Sequence, residues 1–116
     1  MDPAIMAYVG LAKAAMRGGT VLWKPHRAHA LSTYETKLLL ASAESGEFVL
    51  STAGERALPI VSAGARTFAD DGDPVVAAHY RDGFRSLIRR GYVEYVADAR
   101  FTLTGDGFDK ARSLKT

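Results

Sequence analysis

The sequence has no cysteine, which removes disulfides, thiolate zinc sites and cysteine nucleophiles together. That composition suits a reducing compartment, and a cytoplasmic location is expected. Long apolar runs are also missing. No segment is long enough to cross a bilayer, so no membrane is expected as a partner. The opening Met1-Asp2-Pro3, with Lys13 and Arg17 inside and behind the apolar stretch, differs from the basic start and unbroken apolar core of a signal peptide. Neither sign of charge dominates: 15 Lys and Arg against 13 Asp and Glu leave a formal +2. Attraction to nucleic acid would therefore depend on where the cations cluster. A phosphate-binding glycine loop is lacking too, because Gly18-Gly19 and Gly105-Asp106-Gly107 come without the lysine or the strand-to-helix setting such loops need. Serine, histidine and carboxylate residues occur, but nothing in their spacing groups them. No catalytic activity and no cofactor are expected.

What remains is a chain of 116 residues, 47% hydrophobic and 24% charged, the balance of one ordinary globular domain. The pattern predicts a helix over Pro3 to Arg17, with Asp2 as its cap and Ile5, Val9, Ala12 and Met16 at helical spacing before Gly18-Gly19. Residues 18–31 read as a connector with a brief strand within Thr20 to Trp23. Ser32-Thr33-Tyr34-Glu35 matches a capping box and opens a second helix running to about Ser45, closed by Gly46. Phe48-Val49-Leu50 and Leu58-Pro59-Ile60-Val61 are β-prone runs that predict a hairpin, with Pro59 confined to an edge or a strand start. Asp73-Pro74 repeats the cap-then-proline signal, and Val76, Ala77, Tyr80, Phe84, Leu87 and Ile88 share one arc of a helix that ends at Gly91. Tyr92 to Val96 and Phe101 to Thr104 form a second hairpin around Ala97-Asp98-Ala99-Arg100. Thr104 then caps a last helix carrying Phe108, Ala111 and Leu114. The fold class is α+β, with helices and small antiparallel hairpins. An N-terminal helix and connector (1–31) precede the main module (32–116).

Two stretches carry a family resemblance. Leu87-Ile88-Arg89-Arg90-Gly91-Tyr92-Val93-Glu94, followed by Phe101-Thr102-Leu103-Thr104-Gly105-Asp106-Gly107-Phe108, resembles a run common in winged-helix regulators. Upstream, Ile60, Gly64, Phe68, Asp73-Pro74, Ala78, Tyr80, Gly83 and Leu87 resemble a winged-helix-like module often attached to the C-terminus of bacterial defence and signalling proteins. That likeness spans roughly Leu31 to Leu114. It implies a winged helix-turn-helix domain, and with it a small bacterial or phage factor of transcription-regulator type whose helix 74–90 meets duplex DNA.

The residues offer matching candidates. Arg81, Arg85 and Arg89, spaced by four, form one stripe on the long helix, where arginine could reach guanine edges or phosphates in a major groove. Arg100 at the hairpin tip, and Lys24 and Arg27 in the connector, are further candidate phosphate contacts. Against these stand bland readings: a solvated helix face, a short tip, a solvated loop. His26 and His29 have ligand spacing but no third ligand nearby in sequence, so no metal is expected. Trp23 is expected to be buried. Lys110, Arg112 and Lys115 suit the C-terminal dipole of the last helix. Ile5, Val9, Ala12 and Met16 make an apolar stripe that a second copy could cover, and a homodimer is expected. The competing reading is a protein-interaction module on the same fold, favoured by the aspartates at 70, 71, 73 and 82, which would repel phosphate.

Overall fold

The computed structural model describes residues 3–17, 20–21, 30–51, 59–64, 66–68 and 73–115. Their order is α1 (Pro3–Ala15), β1 (Met16–Arg17), β2 (Thr20–Val21), α2 (Thr33–Ser42), β3 (Glu47–Ser51), β4 (Ile60–Ala63), β5 (Arg66–Phe68), α3 (Pro74–Arg89), β6 (Val93–Ala97), β7 (Arg100–Leu103) and α4 (Gly105–Leu114).

Local chemistry sets the helix starts. The Asp73 carboxylate accepts from the amides of Val75 at 2.9 Å and Val76 at 3.4 Å, with Pro74 in the first turn of α3. Ser32 Oγ accepts from Glu35 N while Glu35 Oε1 accepts from Ser32 N, both at 3.1 Å, which completes the expected capping box on α2. Thr104 Oγ1 accepts from Gly107 N at 3.0 Å and donates to Gly91 O at 2.7 Å. One hydroxyl thus caps α4 and ties it to the end of α3. Gly91 adopts φ 78°, a region that penalises a Cβ, so the chain leaves α3 and turns directly into β6.

Five strands form one antiparallel sheet in the order β5-β4-β3-β7-β6. The two expected hairpins are present. Phe48 pairs with Ala63 and Leu50 with Val61 in one, and Val93 with Leu103 and Tyr95 with Phe101 in the other. The hairpins join through β3 and β7, where Phe48 faces Phe101. Between β3 and α3 the described chain forms strands β4 and β5. A helix-turn-helix would instead place a helix immediately before its recognition helix. α2 does pack against α3, but β3, β4 and β5 separate the two in sequence.

Directly opposed residues point to the same face, so Phe48, Leu50, Val61, Ala63, Phe68, Val93, Phe101 and Leu103 all share one side, and all are buried. The helices cover this side. Phe84 of α3 is its centre, with ring centroids 5.1 Å from Phe48, 5.3 Å from Phe101 and 6.0 Å from Tyr8 of α1. Tyr80 packs on Phe68 at 4.9 Å. Gly83 lets α2 approach closely: a Cβ there would meet Glu35 N and Tyr34 Cβ at 3.4 Å.

The destination of the α1 stripe differs from expectation. Ile5, Val9 and Ala12 are 5%, 2% and 2% exposed, buried with Tyr8 and Ala15 in the same apolar cluster as Phe84 and Val93. α1 packs on α3 and β6, so the chain covers this stripe with its own core. The expected dimer contacts at Ile5, Val9 and Ala12 are therefore corrected to core positions; the side chain of Met16 lies outside the described residues. α1 belongs to the core of the following elements and is no separate appendage.

Candidate functional site

The arginine stripe is built as its spacing requires, but its members are not equivalent. Arg89 is exposed near the end of α3, Arg81 is half-buried, and Arg85 is 44% exposed. Arg85 Nη2 donates to Asp82 Oδ1 across one turn of the same helix, and Asp82 is itself 62% exposed. The Arg85 guanidinium also lies 5.7 Å from the centroid of the Tyr8 ring. Burial raises the pKa of the Tyr8 phenol above its ordinary value, while Arg85 and Arg81 pull it down and Asp82 pushes it up. The middle of the stripe is thus a charge mosaic that includes a carboxylate.

Arg90, the next arginine along, is not on this surface at all. It is 4% exposed, and its Nε stands 2.7 Å from Glu35 Oε2. The Nε proton is directed at Ser86 Oγ, 3.3 Å away, so its attraction to the carboxylate is chiefly electrostatic. Nη2 donates to Ala30 O at 3.2 Å. Glu35 therefore serves twice, capping α2 with one oxygen and neutralising Arg90 with the other. The sequence marked its capping role but held no local signal of the pairing.

Arg100 is not brought to the α3 stripe. It opens β7 opposite Val49 and Ala97, and it alternates with the inward-facing Phe101. Its side chain therefore leaves on the face of the sheet away from the helices. The hairpin tip is also shorter than expected, because only Asp98, at φ 54°, and Ala99 lie between the strands. Leu50 N donates to Ala99 O at 2.9 Å, which ties the tip down onto β3.

Trp23, Lys24, His26, Arg27 and His29 lie outside the described residues, as do Asp70 and Asp71. Asp73 is engaged as the α3 cap, which leaves Asp82 as the acid on the stripe. Arg112 sits in the last turn of α4 and Lys115 at its C-cap, suited to the helix dipole. Among the described residues, no cluster of His, Asp and Glu could hold a metal ion, and no helix is long and apolar enough to cross a membrane.

The face of the sheet away from the helices carries Glu47, Thr102 and Glu94 in one cross-strand row, and Thr67, Ser62, Val49 and Arg100 in the next. Val49 is 40% exposed. It is a mixed polar surface and, among the described residues, it lacks the aromatic platform that stacks nucleic-acid bases. No family model matches the chain, and neither a curated protein nor a solved structure is significantly similar to it.

Proposed function

We propose that the chain is a non-catalytic protein-interaction module with a winged-helix-like arrangement, and that it does not read duplex DNA through α3. The strand β3 beside the hairpin β6–β7, with α3 leading into that hairpin through Gly91, supports the winged-helix-like reading. The observation that carries the function is the Asp82–Arg85 pair in the middle of the arginine stripe. A helix lying along a phosphate backbone gains affinity by releasing counterions, one for each cation left to neutralise a phosphate. Here the central cation has a carboxylate one turn away, and that carboxylate faces the same solvent, where it opposes an approaching phosphate. Arg100, on the far face of the sheet, cannot join the stripe in one flat contact.

The test is binding of the purified chain to a labelled random duplex across a salt series. Weak binding at low salt is expected, unchanged by Arg81→Ala/Arg85→Ala. Tight, salt-steep binding that this double variant abolishes would overturn the proposal and put a DNA-binding winged helix in its place.

A further inference from the structure

The outer side of α3 is a helix face that the core leaves unused. Val75, Ala78, Asp82, Arg85 and Arg89 recur at alternating intervals of three and four residues, so they form one stripe opposite the buried Tyr80, Phe84 and Leu87. α1 flanks the stripe through Tyr8, below Arg85, and α2 flanks it through Tyr34. Neither covers it. Val75 is 61% exposed, Arg89 is exposed, and the side chains of Asp82 and Arg85 are open to solvent.

The two ends of the stripe are unlike. The first is apolar: Val75 stands one turn from His79, whose ring stacks on Tyr34 at 4.8 Å. A valine this exposed gains when a partner covers it. The other end is basic, with Arg85, Arg89 and, at the flank, half-buried Arg81 against Asp82 alone. This face is net positive, so a second copy would meet it with the same excess of charge, whereas an acidic partner complements it. Asp82 decides which kind of anion. A duplex carries phosphates at regular intervals and has none to omit opposite that carboxylate. A protein segment can set carboxylates against Arg85 and Arg89, an uncharged residue against Asp82 and an apolar one against Val75. Asp73, the cap at the apolar end, keeps the acids of a partner at the other.

Steps of three and four are those of a helix-packing seam, and the small Ala78 within it permits close approach. Antiparallel packing brings the first turns of a partner helix, which favour carboxylates, to the basic end of α3. We propose that the outer face of α3 docks an amphipathic helix of a partner protein, antiparallel to α3, with carboxylates in its first turns on Arg89 and Arg85 and an apolar side chain on Val75. This rests on the reading of the chain as a protein-interaction module, and it names the surface and the partner chemistry.

The experiment titrates the intact isotope-labelled chain with a synthetic alanine-rich helical peptide. Its two glutamates are four residues apart and its leucine follows ten residues after the second, the spacings of Arg89, Arg85 and Val75. The Val75 methyl signals and the Nε–H signals of Arg85 and Arg89 should shift together, while Val49 and Arg100, on the far face of the sheet, serve as controls. A peptide with lysine in place of both glutamates should bind at least about fivefold more weakly at low salt, and Arg89→Glu should abolish that preference. Val75→Ser, at an exposed position, should weaken the glutamate peptide about threefold. Val75 and Arg89 signals that stay unmoved by millimolar peptide would sink the proposal, as would a glutamate preference that survives Arg89→Glu. A random duplex that displaces the peptide from the same residues would reject both this surface and the functional reading. Unmoved signals together with no duplex binding would reject the surface alone, so the two failures are distinguishable.

Discussion

Two carboxylate–guanidinium pairs occupy opposite sides of α3. Glu35 and Arg90 meet against α2 with side chains 6% and 5% exposed, whereas Asp82 and Arg85 meet on the outer side at 62% and 44%. The chemistry is the same and the consequences differ. In the buried pair each ion has lost most of its water, so removing one partner strands a charge where solvent cannot reach it. In the exposed pair water competes for both ions, and such pairs contribute about 0–1 kcal/mol. The buried pair therefore acts on the fold, holding the start of α2 to the end of α3. The exposed pair acts on the surface, setting what charge a partner meets.

The largest effect should come from stranding Arg90. Glu35→Gln is expected to cost about 3 kcal/mol or more in urea unfolding, because the amide cannot neutralise the guanidinium. Glu35→Leu with Arg90→Met should recover most of that loss, since no buried charge remains. A double variant as unstable as the single would mean that the hydrogen bonds from Arg90 to Ser86 and Ala30 hold this joint, with the ion pair secondary. Next is Gly83→Leu. A side chain entering the close contact with Tyr34 and Glu35 must push α2 away, at about 1–3 kcal/mol. If the pair needs this close packing, Glu35→Gln should cost less in the Gly83→Leu background than alone.

The legible parts of the fold were those decided within a few residues. The capping box at Ser32 and Glu35, the Asp73-Pro74 start, the Gly91 reversal and the Thr104 cap all depend on neighbours in sequence, and all are present. Both long hairpins were visible for the same reason. Long-range packing was not legible. A periodic stripe on α1 says that one face is covered, but whether its own core or a second copy covers it is decided by α3 and β6, far along the chain. β5 was missed because three residues, Arg66–Phe68, carry no periodicity of their own. In the candidate site, spacing by four placed Arg81, Arg85 and Arg89 on one flank, and Asp82 was recognisable within it. The alternation of Phe101 and Leu103 with Thr102 marks the inward side of their strand, both are buried, and the opposite side is the one left to Arg100.

A smaller effect lies on the outer side of α3, where Tyr8 meets Arg85. Burial raises the phenol pKa, so the folded chain holds that proton more tightly than the unfolded one. The contribution is complete below the ordinary phenol value of about 10 and is lost as pH climbs through the higher folded value. Tyr8→Phe should therefore flatten the alkaline limb of stability above pH of about 10 while leaving its neutral region nearly level. An unchanged alkaline limb would mean that the hydroxyl is hydrated despite the 5% exposure of the residue.

The smallest change in stability, and the sharpest test of the comparison, comes from Asp82→Asn. The pair it removes is exposed, so unfolding free energy should move by no more than about 0.5 kcal/mol. The surface changes more than the fold does: Arg85 loses its counter-charge, and the flank of Arg81, Arg85 and Arg89 becomes uniformly basic. Filter binding to a random duplex at low salt should then tighten, with a steeper salt dependence corresponding to about one added phosphate contact. Gained binding that Arg85→Ala abolishes would identify Asp82 as the residue that holds α3 off DNA. If Asp82→Asn leaves duplex binding unchanged, the stripe is not a phosphate surface even when its charges are free, and Arg85 is kept for its place over the Tyr8 ring.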